Sequence, residues 1–329
     1  MMNVAILGAG SIAGSMARTL QGMKDKGRDV ALYAVASRSG ERARAFAEKW
    51  GFEKTYDSYE AMLSDPAVDL VYVATPHSHH AAHPRLCIDH GKPALVEKAF
   101  TANARQAREV LAYAREKGVL VTEAIWTRYM PVRKLVDDLL AAGEIGDARL
   151  LTANLGYLIE GKERIVRPEL AGGALLDVGV YVLNFASMTF GDDVARMESS
   201  VSMFDTGVDR AESIDLYYRD GRMAKLYAAA NVRTDRRCMI YGTKGAIMLD
   251  NVNNPQVVTV YDDVQQNRVR RVIPVPEQIT GYEYEVEACM RAIEAGAPEC
   301  PEMPHAQTIR MMEVMDALRA QWGMVYPFE

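Results

Sequence analysis

Near its start the chain reads Val4-Ala-Ile-Leu-Gly8-Ala-Gly10-Ser-Ile-Ala13-Gly-Ser-Met16. The apolar run that opens this stretch predicts a buried strand, and the residues after the second glycine follow a helical pattern. A strand, a glycine-rich turn and a helix in this order are typical of a dinucleotide-binding fold. We therefore expect a nucleotide to bind at the carboxyl end of this strand.

The small residues of this turn each have an expected task. Gly8 permits the tight turn, Gly10 lets the backbone approach a pyrophosphate, and Ala13 lets the helix lie close to the strand. The first helical residues, Ser11 and Ile12, present backbone N–H groups and the positive end of the helix dipole to the phosphates. An ordinary strand-to-helix turn is the alternative interpretation.

Length and composition set outer bounds. At 329 residues the chain is long enough for two domains, which we divide as 1–124 and 125–329, with the last helix able to pack back on the first domain. The net charge of −6 argues against nucleic acid and anionic membranes as partners. No run of eighteen apolar residues and no signal-peptide pattern is seen, so we expect a cytoplasmic protein without a transmembrane helix. The four cysteines lack CxxC spacing, which favours reduced thiols over structural zinc.

Two kinds of pattern divide the chain. Apolar runs alternate with helical patterns in the first part, which predicts a doubly wound parallel sheet with further strands at 30–36, 69–75, 93–98 and 120–124. Beyond Gly146, short alternating segments predict a mostly antiparallel sheet, at 148–155, 197–203, 213–218, 224–230, 238–241 and 257–261. One helix after Gly172-Gly173 interrupts it, and two late helices are expected at 282–295 and 305–321. The predicted fold class is α/β.

The end of the second predicted strand bears on the choice of cofactor. A carboxylate there would bind the ribose hydroxyls of NAD, but this chain has Ser37 and Arg38, with Arg42 one helical turn later. A hydroxyl and two guanidinium groups suit a 2′-phosphate, because arginine grips phosphate oxygens in a fork. We therefore predict NADP as the cofactor, with NAD as the second candidate. Solvated arginines at a helix start are the alternative interpretation.

The third predicted strand ends in a segment rich in histidine. Thr75, Pro76, His77 and His80 are expected to line the cofactor pocket, because ligands of this fold bind at the carboxyl ends of its strands. Imidazole is a common metal ligand, so a metal site is the alternative. No cysteine or acidic residue is nearby in the sequence, and we predict no metal. The histidines of this segment are His77, His79, His80 and His83.

Charged and aromatic residues follow the next two strands. Glu97 and Lys98 close the fourth strand, and Trp126 and Arg128 follow the fifth. All four are therefore predicted at the edge where a nicotinamide would bind, and Lys98 is a candidate for catalysis. A solvated charge at a strand end is the alternative for Lys98.

The helix after Gly172-Gly173 carries Asp177 and Tyr181, which lie four residues apart and so share one face. The diglycine frees the chain for a close approach at this point. A capping carboxylate and a half-buried tyrosine are the alternative for such a pair taken alone.

These motifs together resemble the Gfo/Idh/MocA oxidoreductase family over essentially the whole chain. The residues that carry the resemblance are the glycine turn, Ala74–His80, Glu97-Lys98, Gly172–Tyr181 and Trp322–Glu329. Through Tyr181 and the segment Glu123–Arg128, the chain is similar to the branch of dimeric dihydrodiol dehydrogenases, NADP-dependent xylose dehydrogenases and glucose–fructose oxidoreductase. Ala99 and His77 stand where many members have proline and asparagine, which affects the shape of the pocket.

The resemblance implies a Rossmann domain followed by an α/β domain with an open, mostly antiparallel sheet. One face of that sheet packs on a second subunit in the family, so a homodimer is expected. The resemblance also implies Lys98 and Tyr181 as the catalytic pair, with Asp177 beside them. Trp126 and Arg164 join these three as substrate-binding candidates.

This set of residues suits the transfer of a hydride between a nicotinamide and the carbinol or carbonyl of a sugar, polyol or cyclic trans-diol. A free tyrosine has a pKa of about 10, and an adjacent ammonium group favours the phenolate and lowers that pKa. Two alternatives stay open. One is a redox-neutral enzyme that retains its cofactor and eliminates a glycosidic substituent after transient oxidation, and the other is a non-catalytic NADP-sensing protein.

Overall fold

The computed structural model describes residues 1–263 and 268–329. Their contacts divide the chain into two compact units. The first contains Met1–Tyr129 and Gln278–Met312, and the second contains Met130–Glu277 and Glu313–Glu329. The N-terminal part of the first unit therefore ends at Tyr129, a few residues beyond the predicted division after Ala124. The later segment Gln278–Met312 also belongs to this unit.

The first unit contains a parallel sheet of six strands in the order β3-β2-β1-β4-β5-β6. This order and the parallel pairing are those of a doubly wound dinucleotide-binding sheet, which confirms the predicted fold class. The short third strand was not expected from the sequence, because only three residues form it. The strands are β1 Met2–Leu7, β2 Val30–Ala36, β3 Lys54–Tyr56, β4 Leu70–Val73, β5 Ala94–Glu97 and β6 Val121–Ala124.

Ten α-helices are described in the two ranges. Serine and asparagine caps begin several of them: Ser39 accepts the Arg42 N–H at 3.3 Å, and Asn103 accepts the Gln106 N–H at 2.9 Å. The helices are α1 Ser11–Asp25, α2 Gly40–Trp50, α3 Tyr59–Leu63, α4 Ala82–Asp89, α5 Ala104–Lys117, α6 Pro131–Ala141, α7 Glu163–Val166, α8 Val180–Phe190, α9 Glu283–Glu294 and α10 His305–Trp322.

Burial explains why the first sheet forms from apolar runs rather than alternating residues. All seven residues of β2 are buried, and α1 and α2 both pack on this strand. A strand buried on both faces needs apolar side chains on both, so its sequence shows no period of two. Helix α9, from the later segment of the unit, packs against α1.

The second unit contains an eight-stranded sheet in the order β14-β13-β12-β11-β7-β10-β9-β8. Its strand pairs are antiparallel except for β7 with β10, which agrees with the predicted, mostly antiparallel sheet. Helix α8 packs on β7 and β10. The strands are β7 Ala148–Gly156, β8 Val194–Met203, β9 Asp209–Tyr218, β10 Met223–Ala229, β11 Cys238–Gly242, β12 Ala246–Leu249, β13 Val257–Asp263 and β14 Arg268–Pro274.

The stretch Pro168–Phe190 is long and apolar enough to cross a membrane, and it includes α8. In this structure 94 % of its most apolar window is buried inside the protein. Its apolar character is therefore accounted for by packing in the core of the second unit, as in a helix that is hydrophobic all round.

Candidate cofactor and catalytic site

The first glycine of the turn after β1 is fixed by backbone geometry. Gly8 has a φ of +109°, a conformation that residues with a side chain rarely adopt. A Cβ atom at this position would also lie only 2.7 Å from the carbonyl oxygen of Ala74, which follows β4. Gly8 is thus required by the protein itself, whether or not a ligand binds.

The second glycine has no such internal reason. Gly10 has an ordinary φ of −94°, and a Cβ atom there would meet no atom within 4 Å. Helix α1 begins at the next residue, receives no side-chain cap and has no acidic residue in its first turn. Its N–H groups and dipole therefore suit a phosphate, and Gly10 keeps side-chain atoms out of the approach. Ala13 is completely buried, as the close packing of helix and strand predicts.

The end of β2 presents two guanidinium groups. Arg38 and Arg42 are exposed, and neither forms an ion pair with a residue in the described ranges. Ser37 is buried and accepts the Ser39 N–H at 3.4 Å, so it belongs to the turn between β2 and α2. The donors present at this point fit a phosphate group on the adenosine ribose.

His77 and His80 connect the segment after β4 with the segment after β5. One ring nitrogen of His80 lies 2.8 Å from the Ala99 carbonyl oxygen and the other lies 2.7 Å from that of Thr75. His77 Nε2 lies 3.2 Å from the Lys98 carbonyl oxygen. Burial lowers the pKa of His80 to about 4, whereas the two carbonyl oxygens act in the opposite direction. These histidines therefore hold the backbone around Lys98, whose peptide bond to Ala99 is cis.

Glu97 and Trp126, both predicted at the cofactor edge, each contact a tyrosine of this unit. Glu97 is buried and accepts a hydrogen bond from the Tyr72 hydroxyl. Trp126 is stacked on Tyr282, with ring centroids 4.3 Å apart and planes 8° from parallel. The sequence did not indicate Tyr282, because no sequence pattern connects it with Trp126, which lies in a distant segment of the chain.

A second buried carboxylate supports the backbone beyond Lys98. Glu123 Oε1 accepts the Phe100 N–H at 3.1 Å, and burial raises the pKa of Glu123 to about 7. The Arg128 guanidinium acts in the opposite direction and lowers that pKa. Arg128, a predicted cofactor contact, is thus also an electrostatic neighbour of the β6 carboxylate.

In the second unit, Asp177 pairs with Arg164. Arg164 Nη1 lies 2.6 Å from Asp177 Oδ1, and Nη2 lies 3.2 Å from Oδ2. Asp177 is only 6 % exposed and Tyr181 only 7 %. Two substrate-binding candidates of the sequence analysis are therefore joined in one ion pair.

The backbone that carries Asp177 departs from the predicted α-helix. Residues Leu175–Gly179 form a π-helical turn, which continues into α8 at Val180. Its i→i+5 hydrogen bonds widen the helix, so the i,i+4 rule for a shared face does not apply strictly between Asp177 and Tyr181. Lys98 belongs to the first unit, whereas Asp177, Arg164 and Tyr181 belong to the second.

Asp209, on β9, explains the glycine before this turn. Its Oδ2 accepts the Leu175 N–H at 2.5 Å and so caps the start of the turn. Gly173 has a φ of +119°, and a Cβ atom on it would collide with Asp209 Oδ1. Sequence reasoning assigned the diglycine to a close approach of the chain, and the structure identifies the group that approaches as the Asp209 carboxylate.

The C-terminal segment is hydrogen-bonded to Gly172, the first residue of the diglycine. The Tyr326 hydroxyl donates a hydrogen bond of 2.7 Å to the Gly172 carbonyl oxygen. The Glu329 carboxylate accepts the Tyr326 N–H at 2.9 Å and pairs with Arg319 at 2.7 Å. In the sequence, Trp322–Glu329 contributed to the family resemblance but had no assigned role. The structure shows that this segment stabilises the turn before Asp177.

Comparison with known proteins gives the family. Residues 2–125 match an oxidoreductase family with an NAD-binding Rossmann fold, and residues 134–248 match the GFO/IDH/MocA C-terminal domain. The chain belongs to the Gfo/Idh/MocA oxidoreductase family. It is an oxidoreductase with an NAD(P)-binding Rossmann domain, as the resemblance implied.

Similar proteins carry related names. Trans-1,2-dihydrobenzene-1,2-diol dehydrogenase of Mus musculus is 32% identical, with 98% of this chain and 97% of the relative covered. The protein of the same name in Danio rerio is 33% identical, with 89% of each covered. A 3-ketoreductase from Actinomadura kijaniata, solved with NADP and TDP-benzene, has a TM-score of 0.85 at 26% identity, with 97% of each chain covered. That ketoreductase has also been solved with a tyrosine replaced by phenylalanine and with a lysine replaced by alanine.

The two glycines of the first turn make a matched pair of tests. Gly10→Ala should change the free energy of unfolding by no more than about 1 kcal/mol, because its φ is ordinary and its surroundings are open. It should weaken NADP binding by roughly tenfold or more, because the methyl group occupies the phosphate's approach. Gly8→Ala should instead lower stability by roughly 2 kcal/mol or more, through strain and collision. Urea unfolding and calorimetric titration measure both, and equal effects of the two changes would contradict the assignment.

The bond between Tyr326 and Gly172 gives a stability test. Tyr326→Phe leaves a buried carbonyl without its donor and should lower the free energy of unfolding by roughly 1–3 kcal/mol. The control is Tyr113→Phe, which removes an exposed hydroxyl that donates to Asp89 at 2.6 Å and should cost less than about 1 kcal/mol. Urea unfolding of the two variants measures the difference. A loss as small in Tyr326→Phe as in the control would remove the C-terminal segment from this role.

Proposed function

We propose that this oxidoreductase transfers a hydride between NADP and the carbinol or carbonyl of a sugar, polyol or cyclic trans-diol. The observation that carries the proposal is the Arg164–Asp177 ion pair, held on a capped turn directly before Tyr181. A buried tyrosine that follows a fixed ion pair by four residues in the chain suits proton transfer to a polyhydroxy substrate. The names of the dihydrodiol dehydrogenases and of the ketoreductase support the same class of reaction.

Tyr181 is the proposed general acid and base. In oxidation it takes the proton of the substrate hydroxyl, and in reduction it returns that proton to the developing alkoxide. Lys98 is proposed to favour the phenolate by its positive charge and to stabilise negative charge on the substrate oxygen. The nicotinamide, when bound, supplies or accepts the hydride. Tyrosine and lysine are also the residue types replaced in the ketoreductase variants.

Asp177 and Arg164 have a proposed role in orienting substrate hydroxyls. A carboxylate that pairs with a guanidinium through both oxygens still has lone pairs to accept further hydrogen bonds. Trp126, stacked on Tyr282, is held by that contact and is proposed as an apolar wall for the CH face of the substrate. These polar and apolar contacts would together select a ring that carries neighbouring hydroxyls.

The cofactor preference rests on Arg38 and Arg42, which have no carboxylate partner in the described ranges. NAD presents two neutral ribose hydroxyls at this point, and two guanidinium groups add little binding free energy to neutral hydroxyls. NADP offers a phosphate, which can accept bidentate hydrogen bonds from either arginine. We therefore assign NADP as the preferred cofactor, and the ketoreductase was solved with NADP.

A homodimer through the open face of the second sheet is part of the proposal. Tyr227 is 48% exposed, and Leu150, Met223 and Tyr217 lie half-buried beside each other on the same face. Half-exposed apolar side chains on one sheet face suit a partner of the same kind. The cysteines Cys87, Cys238, Cys289 and Cys300 are buried free thiols, which supports a reducing compartment such as the cytoplasm.

The reaction is tested by the change in nicotinamide absorbance with the purified protein, NADP or NAD, and a panel of aldoses, inositols and cyclic trans-diols. We expect turnover with preference for NADP. Tyr181→Phe should lower kcat by roughly 10²–10⁴-fold while NADP still binds, because only the proton carrier is lost.

The matched control is Tyr218→Phe, another buried tyrosine of the same unit, whose hydroxyl lies 3.5 Å from the Ala186 carbonyl oxygen. It should keep the kcat of the unaltered protein. Undiminished turnover in Tyr181→Phe would remove that residue from its role. Bound cofactor without net reduction of any substrate would favour the redox-neutral or sensing alternatives.

The dimer is tested by sedimentation of the unaltered protein and of Met223→Glu. We expect a mass of two chains for the first and of one chain for the second, because a charge on the apolar face costs free energy when it is buried. Val325→Glu, which alters a valine that is 71% exposed outside the sheet, is the control and should remain a dimer. A single-chain mass for the unaltered protein would contradict the proposal.

A further inference from the structure

Two histidines of the segment after β4 have no part in the site described so far. His77 and His80 hold the backbone around Lys98, but His79 and His83 point to other partners. The described ranges contain no group of three histidine, cysteine or acidic side chains that could hold a metal. The density of histidine in this segment therefore needs another explanation.

The rings of His79 and His83 form a stack that continues to Tyr59. The centroids of His79 and His83 lie 5.2 Å apart with planes at 29°, and those of His83 and Tyr59 lie 5.0 Å apart, edge to face. His83 Nδ1 lies 2.9 Å from the Thr75 hydroxyl. That contact fixes the ring orientation and leaves Nε2 of His83 as the nitrogen for another partner.

Arg38 adjoins this stack. Burial raises the pKa of Tyr59, and the charge and backbone N–H of Arg38 act in the opposite direction on it. The charge of Arg38 also lowers the pKa values of His79 and His83. The stack thus brings the segment after β4 to the residue after β2, which is where the adenosine end of a dinucleotide binds in this fold.

The charges around the two imidazoles favour an anion. Burial lowers the pKa of His79 and brings that of His83 to about 4, and the positive charge of Arg38 acts in the same direction on both rings. The groups that act on these two rings are Arg38, His79 and His80, while Arg42 and Glu60 act on Tyr59. No carboxylate is among those that act on the imidazoles in the described ranges. Both rings are therefore neutral near pH 7, and an arriving dianion would raise their pKa values.

We propose that His79 and His83 are proton-linked contacts for the 2′-phosphate of NADP, next to Arg38. When the phosphate binds, an imidazole nitrogen takes a proton from solvent and donates the resulting N–H to a phosphate oxygen. NAD has no phosphate at this position and causes no such uptake. The inference rests on the proposed preference for NADP and names two further residues that contribute to it, with a dependence on pH that the arginines cannot supply.

The experiment is calorimetric titration of the full chain with NADP, NAD and adenosine 2′,5′-bisphosphate between pH 6 and 8. Buffers of different ionisation enthalpy report how many protons are taken up on binding. The variants are His83→Gln, His79→Gln and His83→Phe, the last of which keeps a ring against Tyr59 but has no nitrogen. His90→Gln is the control, because His90 ends α4 and bonds the Leu86 carbonyl oxygen at 2.9 Å.

We expect His83→Gln and His83→Phe to weaken NADP and the bisphosphate about tenfold at pH 6, the loss of one charge-assisted hydrogen bond, with a smaller loss at pH 8. NAD binding and the control should be unchanged. Proton uptake with NADP should exceed that of the two variants. The 2′-phosphate itself titrates near pH 6, but this is common to all proteins compared, so the difference isolates the histidines.

The outcomes separate the inference from the proposed function. If NADP binds better than NAD, and both His83 variants and His79→Gln keep that preference and its pH dependence, the inference is wrong and the NADP preference stands. If the unaltered protein binds NAD as tightly as NADP, the preference itself is wrong and the inference fails with it. If His83→Gln weakens all ligands while His83→Phe weakens none, the ring is only structural, which also overturns the inference.

Discussion

The hydrogen bond from the Leu175 N–H to the Asp209 carboxylate is the constraint on which the proposed site residues of the second unit depend. It fixes the start of the π-helical turn, requires glycine at 173, and so places Asp177 and the first residues of α8. Burial and the neighbouring backbone N–H groups act in opposite directions on Asp209, and burial dominates, raising its pKa to about 6. A carboxylate at this depth is tolerated because backbone N–H groups satisfy one side of it.

The two glycine motifs show which structural features can be predicted from the sequence and which cannot. The turn after β1 was predictable because Gly8, Gly10 and the strand and helix around them are contiguous, and every reason for the motif lies within a dozen residues or at the neighbouring strand. The diglycine was recognised, but its cause was not, since Asp209 lies on a strand 34 residues after Leu175. A local sequence pattern identifies where the backbone has an unusual conformation. The group that requires this conformation is brought there by tertiary packing, which the local pattern does not show.

Other differences have equally specific causes. Strand β14 was not predicted because Arg268, Arg270 and Arg271 interrupt any apolar alternation, and it forms at an edge of the sheet where charged side chains remain in solvent. The stack of Trp126 on Tyr282 joins residues from the two separate segments of the first unit. The Arg164–Asp177 pair joins two residues that the sequence predicts as separate substrate contacts, and only the fold shows that they form an ion pair with each other.

The hydrogen bond from Tyr326 to Gly172 spans 154 residues of chain. During synthesis, proteins emerge from the amino end, and contacts of this separation close last. The first unit also needs Gln278–Met312, so neither half can be completed by a nascent chain that has not passed residue 278. The turn beside Asp177 is therefore finished only after the whole second sheet has left the ribosome, and until then the carbonyl of Gly172 must rely on water.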